Sequence, residues 1–388
     1  MQLVEMTNQR ILLISSNSSG RGGGERYLIF LAKGLKEQGL NVHVLLSDVA
    51  YMDGWVRDFL EEDITVHRAD LKGLVQRPLR FIQACLDRKQ INMIAKLCKS
   101  IAPDAILVNQ QYDEDGLDYV RGALLSGIKQ VAGVIHMPMT ASKISRPLGH
   151  WRGRILRNWY VKHPYRKIFV SEGSRKEFHD YYQLDQIDYV VNNSVPMAQS
   201  GLEALEPFFP SGSKVIGFTG QFVPQKNLGG LIDIWKAARN EGIDARLLLV
   251  GDGPERNHIA QMLADSNPET WHITGWTREP EIFLQSMDVF VLASHFEGLP
   301  LSLVEAASRG VVCVTAPFNG AADVSKHAPW VLVAQDHSVL RMARLLCDTL
   351  QGLEGLKLTI TPTRLEQFQS FYSLKRMVKE IREVLQLD

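Results

Sequence analysis

The chain has 388 residues, a formal net charge of zero, 45% hydrophobic residues and 22% charged residues. That length calls for two or three domains, and the composition is ordinary for a globular protein. Zero net charge excludes a global basic field for nucleic acid, so local patches have to be judged one by one.

In chain order, residues 1–10 are polar and carry Glu5, unlike the basic and apolar start of a signal peptide. No apolar run approaches the ~20 residues of a membrane-spanning helix, and a cytoplasmic location is expected. Residues 11–14 form a short apolar strand, followed by a serine- and glycine-rich loop to Gly24. A helical pattern then places Tyr27, Leu28, Leu31, Ala32 and Leu35 on one face; Gly39 closes it, and residues 42–46 read as the next strand. This strand–loop–helix–strand unit is the signature of a parallel α/β sheet. Residues 105–108, 130–135 and 168–170 read as further buried strands.

Between about 195 and 213 the periodicity lapses, with Pro196, Gly201, Pro207, Pro210 and Gly212, which reads as a linker. The α/β pattern then restarts, with strands at 215–218, 246–250, 289–292 and 311–315 and helices at 227–239 and 301–309. A last amphipathic helix carries Leu374, Met377, Val378, Ile381 and Leu385 on one face. The expected organisation is an α/β protein of two Rossmann-like domains, 1–196 and 213–368, with a linker at 197–212. Residues 369–388 then return towards the first domain. Ligands in such sheets bind outside the carboxyl ends of the strands. Cys85, Cys98, Cys313 and Cys347 have neither metal-knuckle nor redox-pair spacing and read as small buried hydrophobes.

Three loops carry chemistry. Gly20, Gly22, Gly23 and Gly24 open the first helix, where backbone amides and the helix N-terminus favour an anion; a plain tight turn is the alternative. Their spacing is not the dinucleotide fingerprint, and no acid closes the second strand as that fingerprint needs. Residues 220–227, Gly-Gln-Phe-Val-Pro-Gln-Lys-Asn, lie between a strand and a helix. Lys226 there can neutralise phosphate, or it is a solvated lysine near a cap. Residues 294–306 follow a strand, break at Gly298 and start a helix near Leu301, with Glu305 about one turn in. Amides near Gly298 and Leu299 can take phosphate, and Glu305 can accept both hydroxyls of a ribose.

In these segments the chain resembles retaining glycosyltransferase family 4, of the GT-B fold. The resemblance rests on Gly23-Gly24-Glu25-Arg26, on residues 220–227, on Leu249-Val250-Gly251-Asp252-Gly253-Pro254, and on Glu297 and Glu305 with seven residues between them. It implies two domains facing across a cleft, with Lys226 on the donor diphosphate, Glu305 on the ribose and Glu297 on the donor sugar. Gly23, Gly24, Gly220, Gln221, Gly251, Gly298 and Leu299 would complete the donor site. His136, at the end of a strand, matches a first-domain histidine that reaches the transferred sugar. The implied reaction is front-face retaining transfer, with a nucleotide diphosphate sugar as co-substrate and neither metal nor separate nucleophile. Gln221 stands where the family has arginine, which removes one of two positive charges expected at the diphosphate. Residues 320–323 and 193–196 also depart from the family's usual pattern.

Residues 143–167 hold Lys143, Arg146, Arg152, Arg154, Arg157, Lys162, Arg166 and Lys167 and no acid, interleaved with Trp151, Trp159 and Tyr160. Residues 72–99 are also basic, with Asp87 their single acid. Lys143, Arg146, Trp151, Arg152, Arg154 and Arg157 are therefore expected to form a surface for a glycolipid acceptor or an anionic membrane. A solvated basic face or a nucleic-acid patch is the alternative. The expected function is a cytoplasmic or peripheral membrane glycosyltransferase of surface polysaccharide or lipopolysaccharide synthesis. A non-catalytic nucleotide-sugar binding subunit and a sugar-nucleotide epimerase are the rivals.

Overall fold

The computed structural model describes residues 9–16, 22–72, 82, 86–138, 149–184, 188–196 and 207–388. The chain divides into two compact units, residues 1–194 with 374–388, and residues 195–373.

The first unit runs β1 (Arg10–Ser15), α1 (Gly23–Glu37), β2 (Asn41–Ser47), α2 (Asp53–Glu61), β3 (Thr65–Ala69), α3 (Arg88–Ile101), β4 (Ala105–Tyr112), α4 (Leu117–Leu125), β5 (Gln130–Met137), α5 (Gly149–Lys162), β6 (Arg166–Phe169), α6 (Glu172–Tyr182) and β7 (Asp188–Val190). All seven strands are parallel, in the order β3-β2-β1-β4-β5-β6-β7. The central strands are apolar throughout because helices cover both faces: Ile11, Leu12, Leu13 and Ile14 are wholly buried, as are Ile106, Leu107 and Val108.

The second unit runs β8 (Lys214–Thr219), α7 (Leu228–Asn240), β9 (Ala245–Val250), α8 (Arg256–Leu263), β10 (Trp271–Gly275), β11 (Val289–Leu292), α9 (Leu301–Ser308), β12 (Val312–Thr315), α10 (Asn319–His327), β13 (Val331–Val333), α11 (Val339–Gln351), α12 (Leu353–Thr359) and α13 (Pro362–Phe371). Its sheet is also parallel, ordered β10-β9-β8-β11-β12-β13.

The chain ends in α14 (Leu374–Leu385), which packs on α1 of the first unit. Met377, Val378, Ile381 and Leu385 form its buried stripe, at the helical spacing read from sequence. Gly34 of α1 makes the close approach feasible, since a Cβ there would lie 2.6 Å from Val378 Cγ2. Among the described residues, no helix is long and apolar enough to cross a membrane.

Both strand orders reverse direction beside the first strand of the unit, between β1 and β4 and between β8 and β11. At such a switch point neighbouring crossovers diverge to opposite faces and leave a crevice at the carboxyl ends of the strands. The segments singled out by sequence leave β8, β9 and β11 in the second unit, and β1 and β5 in the first.

Candidate active site

In the second unit the ends of β8, β9 and β10 are locked together through backbone. Gly220 N donates to Val250 O (3.0 Å), Phe222 N to Asp252 O (2.8 Å), Glu255 N to Phe222 O (3.1 Å) and Gly251 N to Gly275 O (3.0 Å). Gly251 has φ +140°, and a Cβ on it would strike the Gly220 carbonyl oxygen, so only glycine fits. Sequence did not single out Arg256, whose Nη1 is 3.3 Å from Asp252 Oδ2 and 3.5 Å from where a Cβ of Gly275 would stand. It brings a cation to the ends of β9 and β10, in the same group of loops as half-buried Gln221.

The loop after β8 is sewn to the loop after β11. His295 N donates to Gln225 O (2.9 Å), and Gln225 Nε2 to Phe296 O (3.0 Å). Asn227, at φ +51°, accepts from Gly230 N (3.2 Å) to cap α7 and donates through Nδ2 to Ala293 O (3.1 Å). These bonds bring Lys226 Nζ to 2.6 Å from Glu297 Oε1, with only 17% and 7% of the two side chains exposed. Lys226 is therefore not a solvated lysine. Gly298 and Leu299 are buried next in line. Glu305 lies on α9 beyond them, 3% exposed among wholly buried Leu303, Val304, Ala306 and Ala307. Gly320, in the first turn of α10, backs onto this loop: a Cβ there would collide with Gly298 O and stand 2.8 Å from Leu299 Cα.

In the first unit, Gly22 caps α1 and Gly23 and Gly24 form its first turn. Asn109, from the end of β4, donates through Nδ2 to Gly24 O (3.1 Å). Its Oδ1 lies 2.8 Å from His136 Nε2. Since Oδ1 only accepts, Nε2 carries the ring proton and Nδ1 is left as the acceptor. His136 is 6% exposed, and Tyr27 meets its ring edge-on at 4.8 Å. Burial pushes its pKa down to about 4, so the imidazole is neutral at physiological pH. Behind this pair, Ser16 Oγ donates to Asp115 Oδ2 (2.7 Å). Burial raises the Asp115 carboxyl to about 7, against the hydrogen bonds from Ser16 and the Gln111 backbone that favour its ionised form. Asn109 and Asp115 were missed from sequence, though a signal existed: the apolar strand 105–108 turns abruptly polar at Asn109-Gln110-Gln111.

Residues 21–198 match the family profile described as Glycosyltransferase Family 4, and residues 213–351 match the one described as Glycosyl transferases group 1. The chain thus carries a glycosyltransferase family 4 domain followed by a group 1 glycosyltransferase domain. Against the lipopolysaccharide core biosynthesis glycosyltransferase LpsE of Rhizobium meliloti it is 23% identical over 302 residues, 77% of each chain. Against the amylovoran biosynthesis glycosyltransferase AmsD of Erwinia amylovora it is 27% identical over 154 residues, 39% of this chain and less than half (43%) of that one. The Anabaena protein HepE, solved in complex with UDP and glucose, superposes with a TM-score of 0.73 at 15% identity, covering 98% of this chain and 100% of that chain. That likeness is one of fold, the two Rossmann-like domains of the GT-B class.

In this glycosyltransferase, the expected basic surface needs correction. Lys143 and Arg146 lie outside the described residues. Trp159 and Tyr160 are core side chains on the inner face of α5, at 5% and 0% exposure. Arg152 is not a surface cation: its Nη2 lies 2.6 Å from buried Glu114 Oε2, with the guanidinium side chain 14% exposed. Lys167, 1% exposed, sits 2.8 Å from buried Asp188. A run of cations without local acids looks free in sequence, but the acids that engage these two arrive from the β4–α4 loop and from β7. What α5 presents outward is Trp151 and Val161, at 51% and 54% exposure, with Arg154, Arg157 and Lys162; Arg157 Nε also donates to Tyr182 O (3.0 Å).

Proposed function

We propose that this protein is a retaining glycosyltransferase that moves a sugar from a nucleoside diphosphate sugar to a glycan or lipid-linked glycan, in the assembly of a bacterial surface polysaccharide or lipopolysaccharide. The observation that carries this reading is the cluster at the β8–β11 switch point. There a cation, Lys226, sits against buried Glu297, followed along the chain by the buried loop residues Gly298 and Leu299 and by buried Glu305 on α9. A diphosphate needs a cation and N–H donors, a ribose needs a carboxylate for its two hydroxyls, and a hexose needs another acceptor. The named relatives are glycosyltransferases of amylovoran and of lipopolysaccharide core biosynthesis, and the Anabaena neighbour was solved with UDP and glucose; both support the reading.

In the reaction, the bond from the anomeric carbon to the diphosphate breaks as the acceptor hydroxyl approaches from the same face. Charge developing on the leaving diphosphate falls to Lys226 and the loop amides. The acceptor proton passes to the departing phosphate oxygen, so this route calls on no bound metal. For His136 we keep the role the resemblance implies: a neutral ring orients the transferred sugar rather than acting as base. The outer face of α5, with Trp151, Arg154, Arg157, Val161 and Lys162, supports docking on an anionic membrane surface. Each basic residue near such a surface contributes about 1 kcal/mol. Loss of liposome binding in Trp151→Ala/Arg154→Ala is the expected result, and retention removes that part of the reading.

The test of the donor site is a thermal-shift screen against nucleoside diphosphates and nucleotide sugars, with Lys226→Ala and Glu305→Ala as controls. A ligand at a hundred times its Kd adds about 2.7 kcal/mol of stability. A shift present in the wild type and lost in both controls is the expected outcome; no shift with any nucleotide refutes the assignment. Product of inverted anomeric configuration, read by NMR, refutes retention. Nucleotide binding without turnover on any acceptor identifies a binding subunit instead.

A further inference from the structure

The ammonium assigned to the diphosphate is engaged by a carboxylate of the same chain. Lys226 Nζ and Glu297 Oε1 are 2.6 Å apart and nearly out of solvent, where screening is weak and each charge depends on the other. Their backbones cannot drift apart. Gln225 is bonded to His295 and Phe296, and Asn227 to Ala293, so the flanking residues fix both loops and only the two side chains can rearrange. A diphosphate that reaches Lys226 therefore meets Glu297 as a competing anion, at a separation the fold dictates.

Resting on the donor-site reading above, we propose that Glu297 is a built-in competitor of the nucleotide at Lys226. The carboxylate holds the ammonium until a diphosphate takes it. When a sugar accompanies the diphosphate, its hydroxyls give the displaced carboxylate new partners; when the nucleotide comes alone, the carboxylate has none and opposes binding. The site thus favours the complete nucleotide sugar over the bare nucleoside diphosphate. After transfer, Glu297 loses its sugar partners, returns to Lys226 and promotes release of the product nucleotide. The same carboxylate serves substrate selection and product expulsion.

The experiment is isothermal titration of the full chain with UDP, GDP and ADP, in the wild type, Glu297→Gln, Lys226→Met and the double variant. The amide keeps the shape of Glu297 and removes its charge. Glu297→Gln is expected to bind the preferred nucleoside diphosphate about tenfold more tightly than wild type, the scale of one charge-assisted contact no longer contested. In the Lys226→Met background the same substitution is expected to change nothing, because the effect runs through the ammonium. If Glu297→Gln does not melt cooperatively, Glu297→Asp, one methylene shorter, should show the same tightening at smaller amplitude. Equal or weaker binding by the folded variant overturns the inference, as does tightening that persists without Lys226. A folded wild type that binds none of the three nucleotides refutes the donor-site reading, and with it the inference. Binding that ignores Glu297 refutes the inference alone.

Discussion

The neutral state of His136 can be tested by giving it a charged partner. The ring pKa is pushed from 6.5 down to about 4 by burial. At 1.36 kcal/mol per unit, charging it inside the fold costs about 3 kcal/mol. Asn109 Oδ1 stands 2.8 Å from Nε2, so Asn109→Asp places a carboxylate oxygen at hydrogen-bond distance, at the cost of the bond that Nδ2 donates to the Gly24 carbonyl. An opposite charge at that range raises a histidine pKa by roughly 1–3 units, to between about 5 and 7. The assay is a pH series of long-range 1H–15N spectra on protein labelled with 15N-histidine, with His136→Gln assigning the signal. The wild type should show a proton on Nε2, none on Nδ1 and titration only near pH 4. Asn109→Asp should titrate at least a unit higher. The linked effect on stability has a definite sign. As pH falls from 6.5 towards 4, the unfolded chain takes up a proton that the folded ring refuses, so stability falls by about 3 kcal/mol. The variant should lose less over the same window, because its ring accepts the proton earlier. A wild-type ring protonated on Nδ1, or titrating near 6.5, refutes the reasoning, as does a variant still titrating near 4.

Other expectations follow from the same structure. The Asp115 carboxyl, raised by burial from 3.8 to about 7, disfavours the folded state progressively as pH rises through that window, since the unfolded chain ionises first. Asp115→Asn should therefore gain stability relative to wild type by up to about 4 kcal/mol between pH 4 and pH 7. Urea unfolding at the two pH values measures this, and a pH-independent difference contradicts it. Gly320→Ala drives a methyl into the Gly298 carbonyl and should weaken nucleotide binding at least tenfold at a stability cost of about 1–3 kcal/mol. Unchanged affinity by titration calorimetry rules out its support of the 298–299 loop. Lys167→Met leaves the buried Asp188 carboxylate to His179 Nε2, 3.1 Å away, and should cost about 3–5 kcal/mol, largely recovered by adding Asp188→Leu. A single variant with the wild-type melting temperature shows that the pair is not needed.

Much of the framework was readable before any coordinates. Strands such as 289–292 and helices such as 301–308 announce themselves because apolar runs and helical periodicity are local properties, decided by neighbours a few residues apart. The order of these elements is enough to imply two parallel sheets, and the glycine loops mark where chain must turn tightly at a strand end. Gly220, Gln221, Lys226, Glu297, Gly298 and Leu299 follow β8 and β11, the strands that flank the switch point of the second unit, for the same reason. A residue at the end of a strand near a reversal of strand order has nowhere else to go.

What sequence alone determined, then, was the sequence of elements and the loops that carry the chemistry. Tertiary structure decided who meets whom. Lys226 finds Glu297 across 71 positions of chain and Asn109 finds His136 across 27, so no local pattern could pair them or assign the ring proton. The charge states of His136 and Asp115 come from burial, which depends on every element packed around them. The basic run 143–167 lost Arg152 and Lys167 from its surface because Glu114 and Asp188, remote from them in sequence, arrive beside them in space. Backbone preference and hydrophobic period act over one or two turns; electrostatic partnership and desolvation act through space, and only the folded chain sets those distances.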